Sequence, residues 1–392
     1  MNPVKCRNVI AGLLLAGAAA CQCARAEDGV ASDHILLGQA VALEGPAAAL
    51  GAGMRDGILA AFKEVNAAGG VNGRKLELLS RDDGYDPNKS IEAANTLLDS
   101  DKVFALIGGV GTPTSAAVES IALSRAVPFI GPFTGASFLR AADRPNVINL
   151  RASYAQETEE MVERLTKDLN VSRIAILYQD DSYGRAGLEG LQAALAKRQM
   201  ALAAEATYER NTTAVKVALL TIRKAAPQAV VMIGTYKPCA QFIRLARQVK
   251  FDALFLNVSF VGSEALAKEL SDAGVGVLVT QVVPLPYDTG NPLIKRYQNA
   301  LTTAVPDATP GFVSLEGYLV GRLAIMGLER INGEPTRQAF LALFQRAADF
   351  DLGGLVLHYG PGRNYGSDTV FLTELGIDGR FFIVTTLART GG

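Results

Sequence analysis

The sequence predicts an α/β protein built as two lobes, each a parallel-rich sheet covered by helices. Three observations carry this. From His34 onward, short runs rich in Val, Ile and Leu alternate with helical patterns, the signature of βαβ units. The alternation continues through two successive series of about 120 residues each, more than one core ordinarily accommodates. The remainder, 284–392, is too short for a third lobe of that kind, so it is shared between the two, and the chain crosses between lobes more than once.

In the first series strands are expected near 34–43, 75–81, 103–108, 128–131 and 146–150, with helices near 52–67, 88–100 and 114–125. The second series places strands near 173–179, 202–208, 229–234, 254–259 and 276–283. Its helices fall near 155–170, 184–199, 214–226, 237–249 and 262–270. In the helix at 155–170, Met161, Val162, Leu165 and Leu169 recur at one-turn spacing while Glu159, Glu160, Glu163 and Lys167 point away, as on an amphipathic surface helix. The last segment reads as helices near 292–304, 312–331 and 336–347, then strand-like runs at 355–359, 370–375 and 380–387. The lobes expected are 33–151 plus 284–352 and 152–283 plus 353–392.

The 392 residues include 38 basic and 39 acidic side chains, a balance without the basic stripe that a phosphate backbone requires, which excludes nucleic acid as a partner. Residues 1–26 differ from the rest. Lys5 and Arg7 precede an apolar run over 9–20, and Ala24, Arg25 and Ala26 put small residues where a signal peptidase reads, the organisation of a secretory signal peptide. The run is too short to span a bilayer, and the mature chain is expected to be soluble in the periplasm. The small residues ending at Cys21 loosely resemble a lipoprotein site, with anchoring at Cys21 or Cys23 as the alternative. Cleavage would leave Cys239 alone, which excludes an internal disulfide and a zinc cluster. No cofactor or metal is expected.

The stretch GGVGTPT at 108–114 joins an apolar strand end to a helix start. Glycines there let backbone N–H groups approach a ligand, and the helix N-terminus offers unpaired donors and a partial positive charge. The spacing fits neither nucleotide motif, G-x-x-x-x-G-K-[ST] nor G-x-G-x-x-G. Two readings stay open: a site for another anion, or a tight turn with Thr112 or Thr114 as N-cap.

Ligands of open α/β sheets bind outside the carboxyl ends of the strands. The loops expected there are 43–51, 108–114, 131–138, 178–185, 234–240 and 257–263, rich in glycine, hydroxyls and rings and poor in charge. They suit a small ligand held by backbone and hydroxyl hydrogen bonds and stacked on Phe133, Tyr183, Tyr236 and Phe260. Plain core packing is the alternative for each ring. Catalysis is not expected, because G-x-S-x-G and HExxH are absent and His34 and His358 lie at opposite ends. The pairs Asp82-Asp83 and Asp180-Asp181 follow strands and read as caps and turn residues rather than general acids and bases.

The stretches GQAVALEGPAAALG, AAFKEVNAAGGVNGRKLELLSRDDGYDP, FALIGGVGTPTSAA, PFIGPFTGA and RIAILYQDDSYGRAGLEGL together resemble the type I periplasmic binding proteins of the branched-chain amino-acid (Leu/Ile/Val) family, which feed ABC importers. The likeness covers nearly the whole chain after the leader. Its most specific pieces are the DDxxDP segment at 82–87, the glycine turn at 66–74 and the Y-G-x-x-G stretch at 183–187. The resemblance implies two Rossmann-like lobes joined by three hinge strands, closure on a ligand, a membrane permease as partner, a monomeric chain and no catalysis. It also implies that the ligand's carboxylate is held by a hydroxyl at the place of Thr112 and by backbone donors that follow, which makes Thr112, Pro113 and Thr114 candidates. Phe133, Thr134 and Gly135 match the family's second contact loop, and Tyr183 and Tyr236 match aromatic positions of the second lobe.

The departures bear on the ligand. Ser259, beside Phe260, stands where the amino-acid binders carry a glutamate for the ammonium; Gln156 stands where other relatives carry an aspartate; Tyr85 and Gly111 replace a cysteine pair. A buried ammonium without a carboxylate is expensive by several kcal/mol. The expected ligand is therefore a small carboxylate or amide with an apolar or aromatic body, with Leu, Ile and Val bound weakly, unless Glu44, Glu157 or Asp181 substitutes. The function expected is that of an ABC-importer solute-binding protein. A ligand-sensing module for a membrane signalling partner is the alternative, disfavoured because no signalling domain is attached. Export with cleavage after Ala26 should leave Glu27 at the mature N-terminus by mass spectrometry, whereas a diacylated Cys21 or Cys23 would show anchoring instead.

Overall fold

The computed structural model describes residues 27–388; the expected signal peptide lies outside them. Strands β1 (His34–Val41), β2 (Lys75–Asp82), β3 (Ala105–Ile107), β4 (Phe129–Ile130) and β5 (Val147–Ile148) form an all-parallel sheet in the order β2-β1-β3-β4-β5. Helices α1 (Ala48–Ala67), α2 (Pro87–Asn95) and α3 (Thr112–Ser124) make the crossovers that parallel pairing demands. Asp86 caps α2 by accepting from the Asn88 and Lys89 N–H groups. The helix expected over 88–100 loses its α geometry at Asn95 and finishes as a π turn over Thr96–Ser100, with Leu97 and Leu98 buried.

The second series gives α4 (Tyr154–Leu169), β6 (Ile174–Gln179), α5 (Ser182–Ala196), β7 (Ala204–Tyr208), α6 (Lys216–Lys224), β8 (Ala229–Ile233), α7 (Tyr236–Gln248), β9 (Leu254–Asn257), α8 (Ser263–Leu270) and β10 (Leu278–Gln281). Its parallel strands run in the order β7-β6-β8-β9-β10. β8 is fully buried, as expected of its unbroken apolar run AVVMI in a sheet covered on both faces. The inward stripe of α4, Met161, Val162, Leu165 and Leu169, is buried, and Asn170 closes the helix in the left-handed region.

The last hundred residues are divided. Helices α9 (Pro292–Ala304), α10 (Phe312–Glu329) and α11 (Arg337–Gln345) follow β10, and α9 and α10 pack on α1. A ribbon of β11 (Ala348–Asp351) and β12 (Val356–Tyr359) comes next. β13 (Phe371–Leu375) and β14 (Phe381–Ile383) then extend the second sheet antiparallel beyond β10. β11 was not expected, because its four residues ADFD bury only Phe350 fully and its pairing rests on contact at a distance: Phe350 stacks on Phe344 at 4.7 Å, and Tyr359 of β12 meets both rings edge-on. β12 is thereby held beside α11, and the chain enters the second sheet only at β13. It passes between the sheets three times, after β5, after β10 and before β13. Two of these passages touch, since Asn149 bridges Tyr365 and accepts from the Gly366 N–H at 2.9 Å and the Tyr359 hydroxyl at 2.8 Å. Among the described residues no helix is long and apolar enough to cross a membrane, and Cys239 is free and buried.

Helix α10 is bound to the first sheet's layer through glycine. A Cβ on Gly57 of α1 would lie 2.0 Å from the Ser314 carbonyl oxygen, and one on Gly317 of α10 would lie 2.4 Å from the Met54 carbonyl oxygen. The two backbones touch there, so neither helix can yield without separating. Gly57→Ala should cost about 2 kcal/mol or more, at the upper end of ordinary overpacking. Urea unfolding should show a lower midpoint at an unchanged slope.

Candidate functional site

The loops at the carboxyl ends of the two sheets face each other. After β3 the chain turns at Gly108 (φ +63°) and Gly111 (φ +105°), and a Cβ on Gly111 would lie 2.3 Å from the Tyr85 ring. Gly111 thus serves two needs, a backbone conformation that L side chains rarely adopt and the close approach of that ring. It is also the residue that precedes α3, so neither threonine caps the helix. Thr114 donates back to the Val110 carbonyl, while the Thr112 hydroxyl lies 2.6 Å from that of Thr134, which accepts from the Ala136 N–H at 3.2 Å. Thr112 and Thr134 are both fully buried. Pro113 occupies the first turn of α3, and Gly135 sits under Tyr154, whose ring a Cβ there would strike.

Five rings fill the space between the sheets. Phe260, carried on a short 3-10 turn after β9, lies 5.2 Å from Phe133, 4.6 Å from Tyr183 and 6.3 Å from Tyr85, and Tyr183 lies 5.4 Å from Tyr154. Phe133 and Tyr85 come from the first series, Phe260 and Tyr183 from the second, and Tyr154 from the passage after β5. Tyr236, at the start of α7, lies apart from these rings, and its hydroxyl accepts a long hydrogen bond of 3.5 Å from the Ala49 N–H of the first series.

An ion pair lies at the hinge, beside these rings. Arg151 and Glu157 have no solvent exposure. The carboxylate of Glu157 is saturated. One oxygen accepts from Arg151 Nη2 at 3.1 Å and the Ser259 hydroxyl at 3.0 Å; the other accepts from the Ser259 N–H at 2.7 Å and the Thr280 hydroxyl at 2.6 Å. Arg151 Nη2 also donates to the Ser259 oxygen, and the guanidinium lies 5.0 Å from the centre of the Phe133 ring. Its other side is not satisfied. Nε and Nη1 make no hydrogen bond among the described residues, with Glu316 of α10 no closer than 3.7 Å. The Tyr154 hydroxyl makes no hydrogen bond of good geometry, although the Thr134 hydroxyl and the Gly135 N–H lie beside it. Burial works against the Arg151 cation, but Glu316 and Glu157 outweigh it and keep its pKa above the ordinary value. Burial pushes Glu316 up to about 7 against the pull of Arg151, and lowers Arg140 to about 10.

The candidates therefore separate. Thr112, Phe133, Thr134, Gly135, Tyr183, Ser259 and Phe260 converge on this hinge cluster, whereas Pro113, Thr114 and Tyr236 lie at its margin. Gln156 is elsewhere: it closes a capping box with Ser153 and donates to Asp368 at 2.7 Å. Of the acids that could substitute, Glu44 is exposed, Asp181 caps α5, and Glu157 is the one against Ser259. Asp82 holds the 43–44 backbone and Asp83 the Tyr85 N–H, as turn residues do. Arg151, Tyr154 and Glu316 went unread because burial of a polar residue leaves no local pattern. An arginine placed directly after the last strand of the first series, at the start of RASYAQ, was the one available signal. Among the described residues no three His, Cys, Asp or Glu side chains are placed to hold a metal.

The family model described as periplasmic binding protein matches residues 34–375. The chain belongs to that family. Among its relatives, the leucine-, isoleucine-, valine-, threonine-, and alanine-binding protein of Pseudomonas aeruginosa is 25% identical over 83% of this chain and 86% of that one. The Leu/Ile/Val-binding protein homolog 3 of Brucella melitensis is 28% identical over 52% of this chain and 54% of that protein. The crystal structure of a possible leucine/isoleucine/valine-binding protein from Rhodopirellula baltica superposes with a TM-score of 0.86 at 39% identity, covering 92% of this chain and 98% of that one. The protein is thus a type I periplasmic binding protein of the branched-chain amino-acid family, a binder and not an enzyme, with the extracytoplasmic location that the family implies.

The Glu316 carboxyl gives this binding protein a measurable signature. Its folded pKa, about 7, lies above the ordinary 4.5, so the folded state holds a proton that the unfolded state releases between those values. Its contribution to stability is therefore present below pH 4.5 and lost as pH rises to about 7. Glu316→Gln should remove that loss. Relative to the native chain, its unfolding free energy should rise by roughly 3 kcal/mol between these limits, measured by urea unfolding across the range.

Proposed function

We propose that the chain is the solute-binding protein of an ABC importer of the branched-chain amino-acid type, exported to the periplasm, closing two lobes on a small carboxylate, amide or amino-acid-like ligand and delivering it to a membrane permease. The observation that carries this is the meeting of Phe260, backed by Tyr183, with Phe133 and Tyr85 between two sheets joined by three passages. Rings from both sides, with hydroxyls at their edge, form a site that exists only when the lobes are together. Closure is then the means of both recognition and signalling to the permease.

One lobe would comprise 33–151 with 284–352 and the segment that follows through β12, and the other 152–283 with the rest of 353–392. The packing of Tyr359 on Phe344 supports moving the third passage beyond Gly366, which leaves β12 with the first lobe. The carboxylate end of the ligand would meet Thr112 and Thr134 at the opening of α3, where the helix N-terminus adds a partial positive charge.

The test begins with a thermal-shift screen of amino acids, small carboxylates, amides and aromatic acids. A ligand at about 100 times its Kd adds roughly 2.7 kcal/mol to stability, and small-angle scattering should show compaction with it. For that ligand Thr112→Ala should weaken binding about 10- to 100-fold through loss of a charge-assisted hydrogen bond. Thr112→Ser should bind nearly as the native chain does. Unchanged affinity with a lowered melting temperature in Thr112→Ala would mean that the pair of hydroxyls is structural only.

A further inference from the structure

Given the solute-binding role proposed above, we infer that Arg151 and Tyr154 complete, beside Thr112 and Thr134, the acid-reading end of the cleft, and that the solute is a monocarboxylate with a flat or branched apolar body and no α-ammonium group. Two independent features of the buried cluster point this way. The first is the state of Glu157. It stands against Ser259, where an ammonium partner would be sought, yet each of its oxygens already accepts two hydrogen bonds. A carboxylate offers about four lone-pair directions, so Glu157 has none left for a solute.

The second feature is the surplus of donors. Arg151 Nε and Nη1 and the Tyr154 hydroxyl are buried without partners. Arg151 Nη2 is fully engaged on the Glu157 side, so the guanidinium is fixed in orientation with its unused N–H groups left over. Buried donors are ordinarily paired. Three left over on two neighbouring side chains, 5.9 Å from guanidinium carbon to ring centre, match an acceptor that carries negative charge. The charges agree. Arg140, nearby, donates from Nη1 and Nη2 to the Ala136, Arg151 and Ala152 carbonyls and keeps only Nε unpaired, and of the two acids facing Arg151 only Glu157 touches it closely. Glu316 is partly protonated near neutrality, which leaves the cluster short of negative charge. An entering carboxylate corrects that shortage; an entering ammonium aggravates it.

The body of the solute follows from the rings. Phe260, backed by Tyr183 on its own side at 4.6 Å, meets Phe133 at 5.2 Å and Tyr85 at 6.3 Å on the other when the lobes meet. Swinging the Phe260 turn away with its lobe opens a slot between apolar faces, suited to a ring or a branched chain.

The experiment uses solute pairs on the complete mature chain, titrated by calorimetry: 4-methylpentanoate against leucine, and 3-phenylpropanoate against phenylalanine, each differing by the ammonium alone, with 3-phenylpropanamide as the uncharged match. At least one acid should bind about 100-fold more tightly than its amino acid, and the phenyl acid about 30-fold more tightly than its amide. Tyr154→Phe deletes only the unpartnered hydroxyl. It should weaken the acid about 10-fold while leaving the melting temperature of the free protein unchanged or raised, a combination that a packing role would not produce. Arg151→Lys should weaken the acid further; because it also disturbs Glu157, the native-chain comparisons decide if it fails to fold. Leucine or phenylalanine binding as tightly as its acid, an amide equal to the acid, or binding of none of the five would each overturn the inference. Amino-acid binding with compaction would do so while upholding the solute-binding role. With none of the five bound, the wider screen and its scattering decide that role separately.

Discussion

The contact between Arg151 and Glu157 governs the centre of the molecule. Burying two charges is costly unless geometry and further hydrogen bonds repay the lost hydration, and here the repayment is one-sided. Glu157 is satisfied by groups that all belong to the second series apart from Arg151 itself: Ser259 after β9 and Thr280 on β10. Arg151 stands at the passage between the sheets and reaches back toward Glu316 and Phe133 of the other side. One cation thus touches both halves, and its incomplete satisfaction distinguishes the cleft from an ordinary buried ion pair.

Around that cation the structure is rigid where lobes must be rigid and divided where they must move. The glycine contact of α1 with α10 ties the returning helices to the first sheet at backbone distance. β13 and β14 tie the chain's end to the second sheet by paired backbone groups. Between these attachments run three passages, two of them joined at Asn149. Contacts across the cleft include rings against rings, long hydrogen bonds such as Gln179 to the Tyr85 hydroxyl at 3.3 Å, and the Phe312 N–H donating to Glu264 at 3.1 Å. Apolar faces can part at little electrostatic cost, which is what the proposed closure on a ligand requires.

Much of the fold was legible because its signal is local. Runs such as IAILYQ and AVVMI mark strands covered on both faces, and the one-turn spacing in α4 gives its inward stripe. The loops GGVGTPT and GPFTGA were legible as strand-end loops because their glycines break the apolar runs, and the structure brings Thr112 and Thr134 together there. β11 was not, since nothing in ADFD marks a strand until Phe344 and Tyr359 arrive beside Phe350. Glu157, one of the three acids that could substitute, faces Ser259 where Gln156 does not, for a definite reason. Gln156 and Glu157 are the third and fourth residues of α4, about 100° apart around the helix axis. The capping box takes the third outward to Ser153 and Asp368, and the turn of the helix carries the fourth inward to Ser259.

The sequence by itself determined the α/β class, the two series of units, the loops that line the cleft and the family, because each is written in periodicity or in motifs that act over a few residues. Only the tertiary structure decided which polar groups are satisfied. That Glu157 has no lone pair to spare, and that Arg151 and Tyr154 have donors left over, depends on Ser259, Thr280 and Glu316, which lie more than a hundred residues further along the chain. Hydrogen-bond saturation counts all neighbours in space, and no window of sequence contains them.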